Sequence, residues 1–287
     1  MEFQDKFFGS EGLVVDGHSH VTLPIEKYIQ LMDEAGIDKA ILFRTMVHPE
    51  TKGSLEEVQR EMIQLGRILS GSSSVAVRYA QKANEELFEI VSKHPNRFYS
   101  FGIVPTSMEL EDIIRSVKSQ IRKYRILGLG EYTMQSGMIS QLDKVFSASA
   151  HTAKLPIWVH CFNPITLDDI LELVSLAEKY PTVPVIIGHN GGSNWMKVID
   201  IAKEHSNIYV DLSASFSSLV LRLTIESIPC KVLFGVDYPY GDMLVSKLMI
   251  ERAVKDNLIK SQVLGGNMIG LLNKVVHTKE YVQCRMV

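Results

Sequence analysis

Val14-Val15-Asp16-Gly17-His18-Ser19-His20 lies near the amino terminus and decides how the rest of the chain is interpreted. Leu13-Val14-Val15 is an apolar run long enough for a buried strand, and two histidines follow with one residue between them. Side chains alternate along a strand, so His18 and His20 point the same way, and Asp16 shares their parity. Two imidazoles that converge at a strand end suit a metal ion, with a solvated strand end as the alternative.

Composition places the chain among single-domain globular proteins. Its 287 residues, 46% of them hydrophobic, suffice for one large core, so we predict a single domain over residues 1–287. A net charge of -3 without a basic cluster argues against nucleic-acid binding. Three widely spaced cysteines without a CxxC pair favour a reducing compartment. Neither a membrane-length apolar run nor a signal peptide in residues 1–10 is found, so we expect a cytoplasmic protein.

Short apolar stretches alternate with amphipathic helical stretches about eight times along the chain. The apolar stretches are rich in Val and Ile and are continuously apolar, as expected of strands buried on both faces. This repetition predicts a closed (β/α)8 TIM barrel. A doubly wound open sheet is the alternative, but it requires a glycine-rich phosphate loop, and the sequence contains neither GxGxxG nor a Walker A motif.

The segment between the second and third predicted strands is unusually long. Residues 45–96 contain two helical stretches, at residues 55–69 and 79–93. Between them, residues 70–74 are glycine and serine without periodicity, which predicts a flexible connector. We therefore expect an elaborated helical crossover after strand two that covers one end of the barrel.

Side chains of metal-ligand type stand at the predicted ends of five strands. In chain order they are His18, His20, Glu131, His160, His189 and Asp237. Catalytic groups of (β/α)8 barrels lie at the carboxyl ends of the strands, so we predict that these six side chains form a metal centre. Single residues have other interpretations: Glu131 could pair with a lysine or arginine, and Asp237 could cap a turn. His160 and His189 could also be hydrogen-bonded core histidines.

Four phrases resemble the amidohydrolase superfamily. They are Asp16-Gly17-His18-Ser19-His20, Trp158-Val159-His160-Cys161, Gly188-His189-Asn190-Gly191-Gly192 and Phe234-Gly235-Val236-Asp237-Tyr238-Pro239. More closely, the chain resembles the amidohydrolase-2 family of metal-dependent TIM barrels. The resemblance implies four histidine ligands, with His189 and Asp237 as catalytic residues and Asp237 as the general base. Glu131 departs from this pattern and is more similar to the TatD-type branch, where a glutamate on strand four helps to hold a second metal.

The ligand types restrict the cation. Imidazole nitrogen and carboxylate oxygen without thiolate suit Zn²⁺, Mn²⁺ or Fe²⁺, and one or two Zn²⁺ ions are our first choice. Zinc lowers the pKa of a bound water from about 15.7 to about 7 and polarises a carbonyl. Asp237 can then take a proton and later deliver it to a leaving group. Asp16 is expected to orient the histidines from behind.

Candidates for substrate contact are fewer. Arg44, at the end of strand two, can bind a carboxylate or phosphate through two parallel hydrogen bonds, with a structural salt bridge as the alternative. Asn163 and Tyr240 lie on predicted rim loops, where turn and packing roles are the alternatives.

These residues support three hypotheses about function. The first is a hydrolase acting on an ester, lactone or amide of a small organic acid, because a second metal suits the activation of water. The second is a non-oxidative decarboxylase of an aromatic or enoate carboxylic acid, a reaction that the resemblance also implies. The third is a metal-binding or ligand-binding barrel without catalysis. We expect a small-molecule substrate, no nucleic-acid or membrane partner, and a homodimer.

Overall fold

The computed structural model describes residues 12–70, 73–215 and 217–286. The predictions about a signal peptide in residues 1–10 and about the middle of the connector, at residues 71–72, lie outside these ranges. Within them, no helix is long and apolar enough to cross a membrane.

Eight parallel strands form one sheet in chain order. They are β1 Val15–His20, β2 Lys39–Phe43, β3 Phe98–Gly102, β4 Gly128–Tyr132, β5 Ile157–Val159, β6 Val185–Ile187, β7 Ile208–Asp211 and β8 Val232–Leu233. The helices are α1 Ile25–Ala35, α2 Leu55–Ser70, α3 Ser73–Lys93, α4 Leu110–Tyr124, α5 Asp143–Ala150, α6 Leu167–Lys179, α7 Trp195–Glu204, α8 Ser218–Ser227, α9 Met243–Ala253, α10 Asn257–Ser261, α11 Asn267–Val276 and α12 Lys279–Met286. The predicted (β/α)8 barrel with helices inserted after strand two is confirmed, and the single domain stays a prediction.

The seam between the first strand and the end of the last closes the sheet. The Gly17 amide donates to the Phe234 carbonyl at 2.8 Å, and the Val236 and Asp237 amides donate to the His18 carbonyl. A Cβ on Gly17 would lie 2.8 Å from the Phe234 carbonyl oxygen, so a side chain does not fit at this seam. The same hydrogen bonds hold the Asp237 segment against β1.

Aromatic side chains from three strands fill the barrel below the carboxyl ends. The ring of Phe43 in β2 packs 5.0 Å from that of Phe101 in β3 and 5.6 Å from that of Trp158 in β5, between centroids. Strands β2 and β5 are not neighbours, so the contact between Phe43 and Trp158 crosses the barrel interior. All three side chains are fully buried. They form an apolar floor beneath the strand ends.

The helical insertion differs in extent from the prediction. Ser70 ends α2 and Ser73 begins α3, so most of the predicted connector is helical and α3 starts six residues before the expected position 79. Serine is common at helix starts, and a long helix extends into a terminal turn that lacks apolar periodicity. The prediction of a five-residue flexible connector is therefore wrong in extent.

His48 ties this insertion to the barrel. Its Nδ1 lies 2.9 Å from Oε1 of Glu50, and its Nε2 lies 3.2 Å from Oε2 of Glu86 in α3. Its backbone amide donates to Glu61 in α2 at 3.3 Å. Glu50 in turn accepts from the Leu23 amide in the loop after β1. His48 and Glu50 thus link both inserted helices to the rim.

We expect His48→Ala to lower the free energy of unfolding by about 1–2 kcal/mol at pH 6, allowing for partial solvent screening. Hydrogen bonds to Glu50 and Glu86 raise the pKa of His48 from 6.5 to about 9. This stabilisation is complete below pH 6.5 and is lost as the pH rises through 9. Urea unfolding of both proteins at pH 6 and pH 9.5 measures the difference, with His277→Ala as an exposed control. An equal difference at both pH values contradicts the ion-pair explanation.

Candidate metal centre

The six predicted ligands converge at the carboxyl end of the barrel. His18 and His20 lie in β1 and Glu131 lies in β4, whereas the other three follow directly or within four residues after β5, β6 and β8. Their side chains are 0% to 18% exposed, with His18 the most buried and His160 the least. Two overlapping groups of three ligand atoms lie close enough to hold a cation, and both include Glu131.

The first group surrounds one oxygen of Glu131. Its Oε2 lies 3.7 Å from Nε2 of His18 and 3.4 Å from Nε2 of His20. Oδ1 of Asp237 lies 3.4 Å from each of the same two nitrogens. The first group thus consists of His18, His20 and Glu131, and Asp237 contacts both of its imidazole nitrogens.

The second group surrounds the other oxygen of Glu131. Its Oε1 lies 2.8 Å from Nδ1 of His160 and 3.5 Å from Nε2 of His189. Those two nitrogens are 3.0 Å apart. The Glu131 carboxylate thus spans the two groups, a position that suits a bridging ligand. This group has three protein ligand atoms, which would leave a coordination position for water or substrate.

Hydrogen bonds on the far side of two rings aim their remaining nitrogens at the centre. Nδ1 of His20 lies 3.2 Å from the Arg44 carbonyl, and Nε2 of His160 lies 3.4 Å from the Asn163 carbonyl. A ring nitrogen that donates to a carbonyl leaves the other nitrogen with a lone pair. Both nitrogens of His18 are buried without a hydrogen-bond partner in the described part of the chain. Such unpaired buried nitrogens fit a cation ligand.

The electrostatics of the cluster also fit a cation. Burial alone would raise the pKa of Glu131 and Asp237, but their histidine neighbours hold both well below the usual carboxylate range. Burial lowers the pKa of His20, yet Asp237 and Glu131 outweigh it and raise it to about 9. The two carboxylates therefore attract positive charge, which a divalent cation supplies without protonation of the rings.

Asp16 supports the centre from behind, as expected. Its carboxylate accepts hydrogen bonds from the His18 amide at 3.1 Å, the Ser19 hydroxyl at 2.5 Å and the Val236 amide at 2.9 Å. Burial raises the pKa of Asp16 to about 7. One carboxylate thus fixes β1 relative to the segment that carries Asp237.

The turn after β6 presents His189 through an uncommon backbone. His189, Asn190 and Gly191 have φ values of 53°, 54° and 68°, in the left-handed region. Asn190 tolerates this conformation, and its side-chain amide donates to Thr224 at 3.1 Å. The His189 amide donates to Asp211 at 3.0 Å. The predicted strand through residue 189 therefore ends at Ile187, and a tight turn redirects the imidazole.

The structure treats the three predicted substrate contacts differently. The main-chain carbonyl of Arg44 accepts a hydrogen bond from His20. The side-chain Nη1 of Arg44 is buried without a partner among the described residues. The Tyr240 ring is 6.0 Å from that of His20, and the residue is 51% exposed. Asn163 is exposed and meets the centre through its main-chain carbonyl. Cys161 is buried, and burial raises its pKa to about 12, which suits a packing role.

Three residues near the centre were missed from the sequence. The ring of Trp158 stacks on that of His18, with centroids 4.0 Å apart and planes 9° apart. Ser213 contacts Nδ1 of His189 at 2.9 Å and also hydrogen-bonds Asp211. The segment Asp211-Leu212-Ser213 could have indicated two of these residues, because two polar side chains on the same face come directly after an apolar run.

A (β/α)8 barrel with a cluster of histidines and carboxylates at its carboxyl end is typical of metal-dependent TIM-barrel enzymes. The amidohydrolase family model matches residues 15–267. The chain therefore belongs to this family, the amidohydrolase-2 family that the sequence phrases indicate. A comparison with curated proteins gave no match.

Solved structures share the fold at low identity. A 5-carboxyvanillate decarboxylase from Sphingomonas paucimobilis is 16% identical, with a TM-score of 0.68 over 91% of this chain and 99% of that one. A 2,6-dihydroxybenzoate decarboxylase from Rhizobium is 15% identical, with a TM-score of 0.67 over 91% and 98%. A dihydroxybenzoic acid decarboxylase from Polaromonas, with bound manganese and 2-nitroresorcinol, is 16% identical, with a TM-score of 0.65 over 94% and 99%.

Proposed function

We propose that this protein is a metal-dependent carboxy-lyase that acts on a small aromatic or enoate carboxylic acid. The observation that carries the proposal is the convergence of four imidazoles and two carboxylates at one end of the barrel. The Arg44 carbonyl contacts His20 there, and the buried Arg44 Nη1 lacks a partner within the described ranges. The decarboxylases among the structural neighbours support this reaction over the hydrolysis that we first expected. Zn²⁺, Mn²⁺ and Fe²⁺ all fit the ligand set, and manganese in a neighbour adds support for that ion.

The residues of the centre have distinct roles in this proposal. A divalent cation would orient the substrate acid and stabilise developing negative charge. The bond between the carboxylate and the adjacent carbon breaks, CO₂ leaves, and the electron pair stays on that carbon until it is protonated. Asp237 starts ionised, since His18 and His20 hold its pKa low. It takes a proton from solvent or a substrate hydroxyl and delivers it to carbon, while His189 is a ligand beside the reacting group.

Hydrolysis of an ester, lactone or amide is the second candidate, and the position of Glu131 favours it. Its two carboxylate oxygens face separate groups of histidines, which suits two cations. Two-metal sites activate water and stabilise the leaving oxygen. Asp237 would then accept a proton from water and protonate the leaving group.

A paired assay separates these candidates. The protein is loaded with Mn²⁺ or Zn²⁺ and incubated with hydroxybenzoate-type acids and, separately, with lactones and amides of small organic acids. We expect release of CO₂ from an acid, together with the decarboxylated product, and no turnover in protein stripped of metal. Hydrolytic turnover without CO₂ release would reject the lyase in favour of the second candidate. An Asp237→Asn protein serves as the inactive control.

Cellular location and assembly also remain proposals. All three cysteines are free, which supports a reducing compartment such as the cytoplasm. Exposed apolar residues on α9, among them Leu244, Val245 and Leu248, support a homodimer.

A further inference from the structure

We propose that Ser213 and Asp211 act as a positioning relay that selects the tautomer of His189 and thereby sets the cation affinity of the second ligand group. This inference rests on the proposed metal centre. Neither residue is a proposed ligand, and neither was predicted from the sequence. Within the described part of the chain, their hydrogen bonds to the proposed ligands go to His189, and Asp211 also interacts electrostatically with His18.

The direction of the hydrogen bonds follows from a count of protons. Oδ2 of Asp211 accepts from the backbone amides of His189 at 3.0 Å and Ser213 at 3.2 Å, and the Ser213 hydroxyl lies against the same oxygen. A carboxylate only accepts, so the single hydroxyl proton of Ser213 points to Asp211. The serine oxygen then faces Nδ1 of His189, 2.9 Å away, as an acceptor. Nδ1 must carry the proton, and the lone pair on Nε2 faces Glu131 and His160.

The surroundings hold this relay in one geometry. His189, Asp211 and Ser213 are at most 5% exposed, so bulk water does not compete for these hydrogen bonds. Asp211 ends β7, which pairs on one side with β6 and on the other with β8. A Cβ on Gly235, just after β8, would lie 2.2 Å from Oδ1 of Asp211. The backbone of three strands thus fixes the carboxylate against which Ser213 is oriented.

A matched set of serine variants tests the relay. Ser213→Ala removes the acceptor of the His189 proton, and Ser213→Thr keeps it. Ser149→Ala removes another buried hydroxyl, one that donates to the Leu155 carbonyl at 2.8 Å away from the centre. Titration of stripped protein with Mn²⁺ or Zn²⁺ gives the affinity of each cation site. Side-chain ¹⁵N NMR of the Zn²⁺-loaded protein, and of the cation-free protein at a pH well above the raised pKa of His189, gives the His189 tautomer independently.

We expect Ser213→Ala to weaken cation binding at the second ligand group, which contains His189, about 10- to 100-fold. This is the usual effect of losing a hydrogen bond behind a ligand. The same variant should lose the pure Nδ1–H tautomer, whereas Ser213→Thr and Ser149→Ala should retain affinity and tautomer. Wild-type affinity and tautomer in Ser213→Ala overturn the relay. If wild-type protein binds no cation but the tautomer changes in Ser213→Ala alone, the relay stands and the proposed metal centre fails.

Discussion

Replacing Glu131 with glutamine is expected to reduce the bound cations from two to at most one and to lower turnover by about 10³-fold. The two oxygens of Glu131 face different groups, Oε2 towards His18 and His20 and Oε1 towards the other pair. A glutamine offers one neutral oxygen and an NH₂ group, which does not bind a cation. The variant therefore loses a ligand from one group and a negative charge from both. Loss of several kcal/mol of charge stabilisation corresponds to the stated decrease in rate.

Metal content after dialysis and turnover on the substrate found in the paired assay measure this effect. His160→Asn is the informative companion, because it removes a ligand from the second group and leaves His18, His20 and Glu131 of the first group intact. Glu109→Gln is the control, since that side chain is 78% exposed and pairs with Lys144. Two bound ions and wild-type turnover in Glu131→Gln would show that the carboxylate does not bridge. A single ion in the wild type, retained in Glu131→Gln, would likewise reject the two-cation centre.

The strand ends were the predictable part of this site. Two histidines in β1 and one histidine or carboxylate at the ends of β4, β5, β6 and β8 indicate a shared rim, because every strand of a (β/α)8 barrel runs the same way. The bounds of a strand are less predictable, as β4 shows, which spans Gly128–Tyr132. Apolar content marked Ile126 and Leu127, whereas sheet pairing begins at Gly128, opposite Phe101. Glu131 is consequently inside the strand and reaches across the centre.

Atomic pairings within the site could not be predicted from spacing. His160 presents Nδ1 to the centre and His20 presents Nε2, and this difference depends on which carbonyl lies behind each ring. The assignment of Glu131 oxygens to two groups depends on the barrel diameter and on side-chain rotamers. Ser213 was missed because its contact with His189 joins residues 24 positions apart on neighbouring strands. Such contacts arise from sheet register, which no local pattern encodes.

Arg44→Gln is expected to lower kcat/KM for a carboxylic acid substrate about 10- to 100-fold, mainly through KM, with unchanged cation content. A hydrogen bond to a charged group contributes about 1.5–3 kcal/mol, which corresponds to this range. Uncharged esters or amides of the same acid should show a much smaller change. The control is Arg222→Gln, an exposed arginine paired with Glu226 on α8. An equal loss on charged and uncharged substrates would assign Arg44 a structural role.

The surroundings of the Arg44 guanidinium favour the binding of an anion. Burial lowers the pKa of Arg44 to about 10, and no carboxylate among the described residues offsets that effect. Removing a guanidinium from water without an opposite charge is costly, so the structural salt bridge weighed for this residue has no support here. The Arg44 carbonyl also orients His20, which places this residue directly beside the cation ligands. In the proposed reaction a substrate carboxylate would supply the missing charge, and the Arg44 main chain would link acid binding to His20.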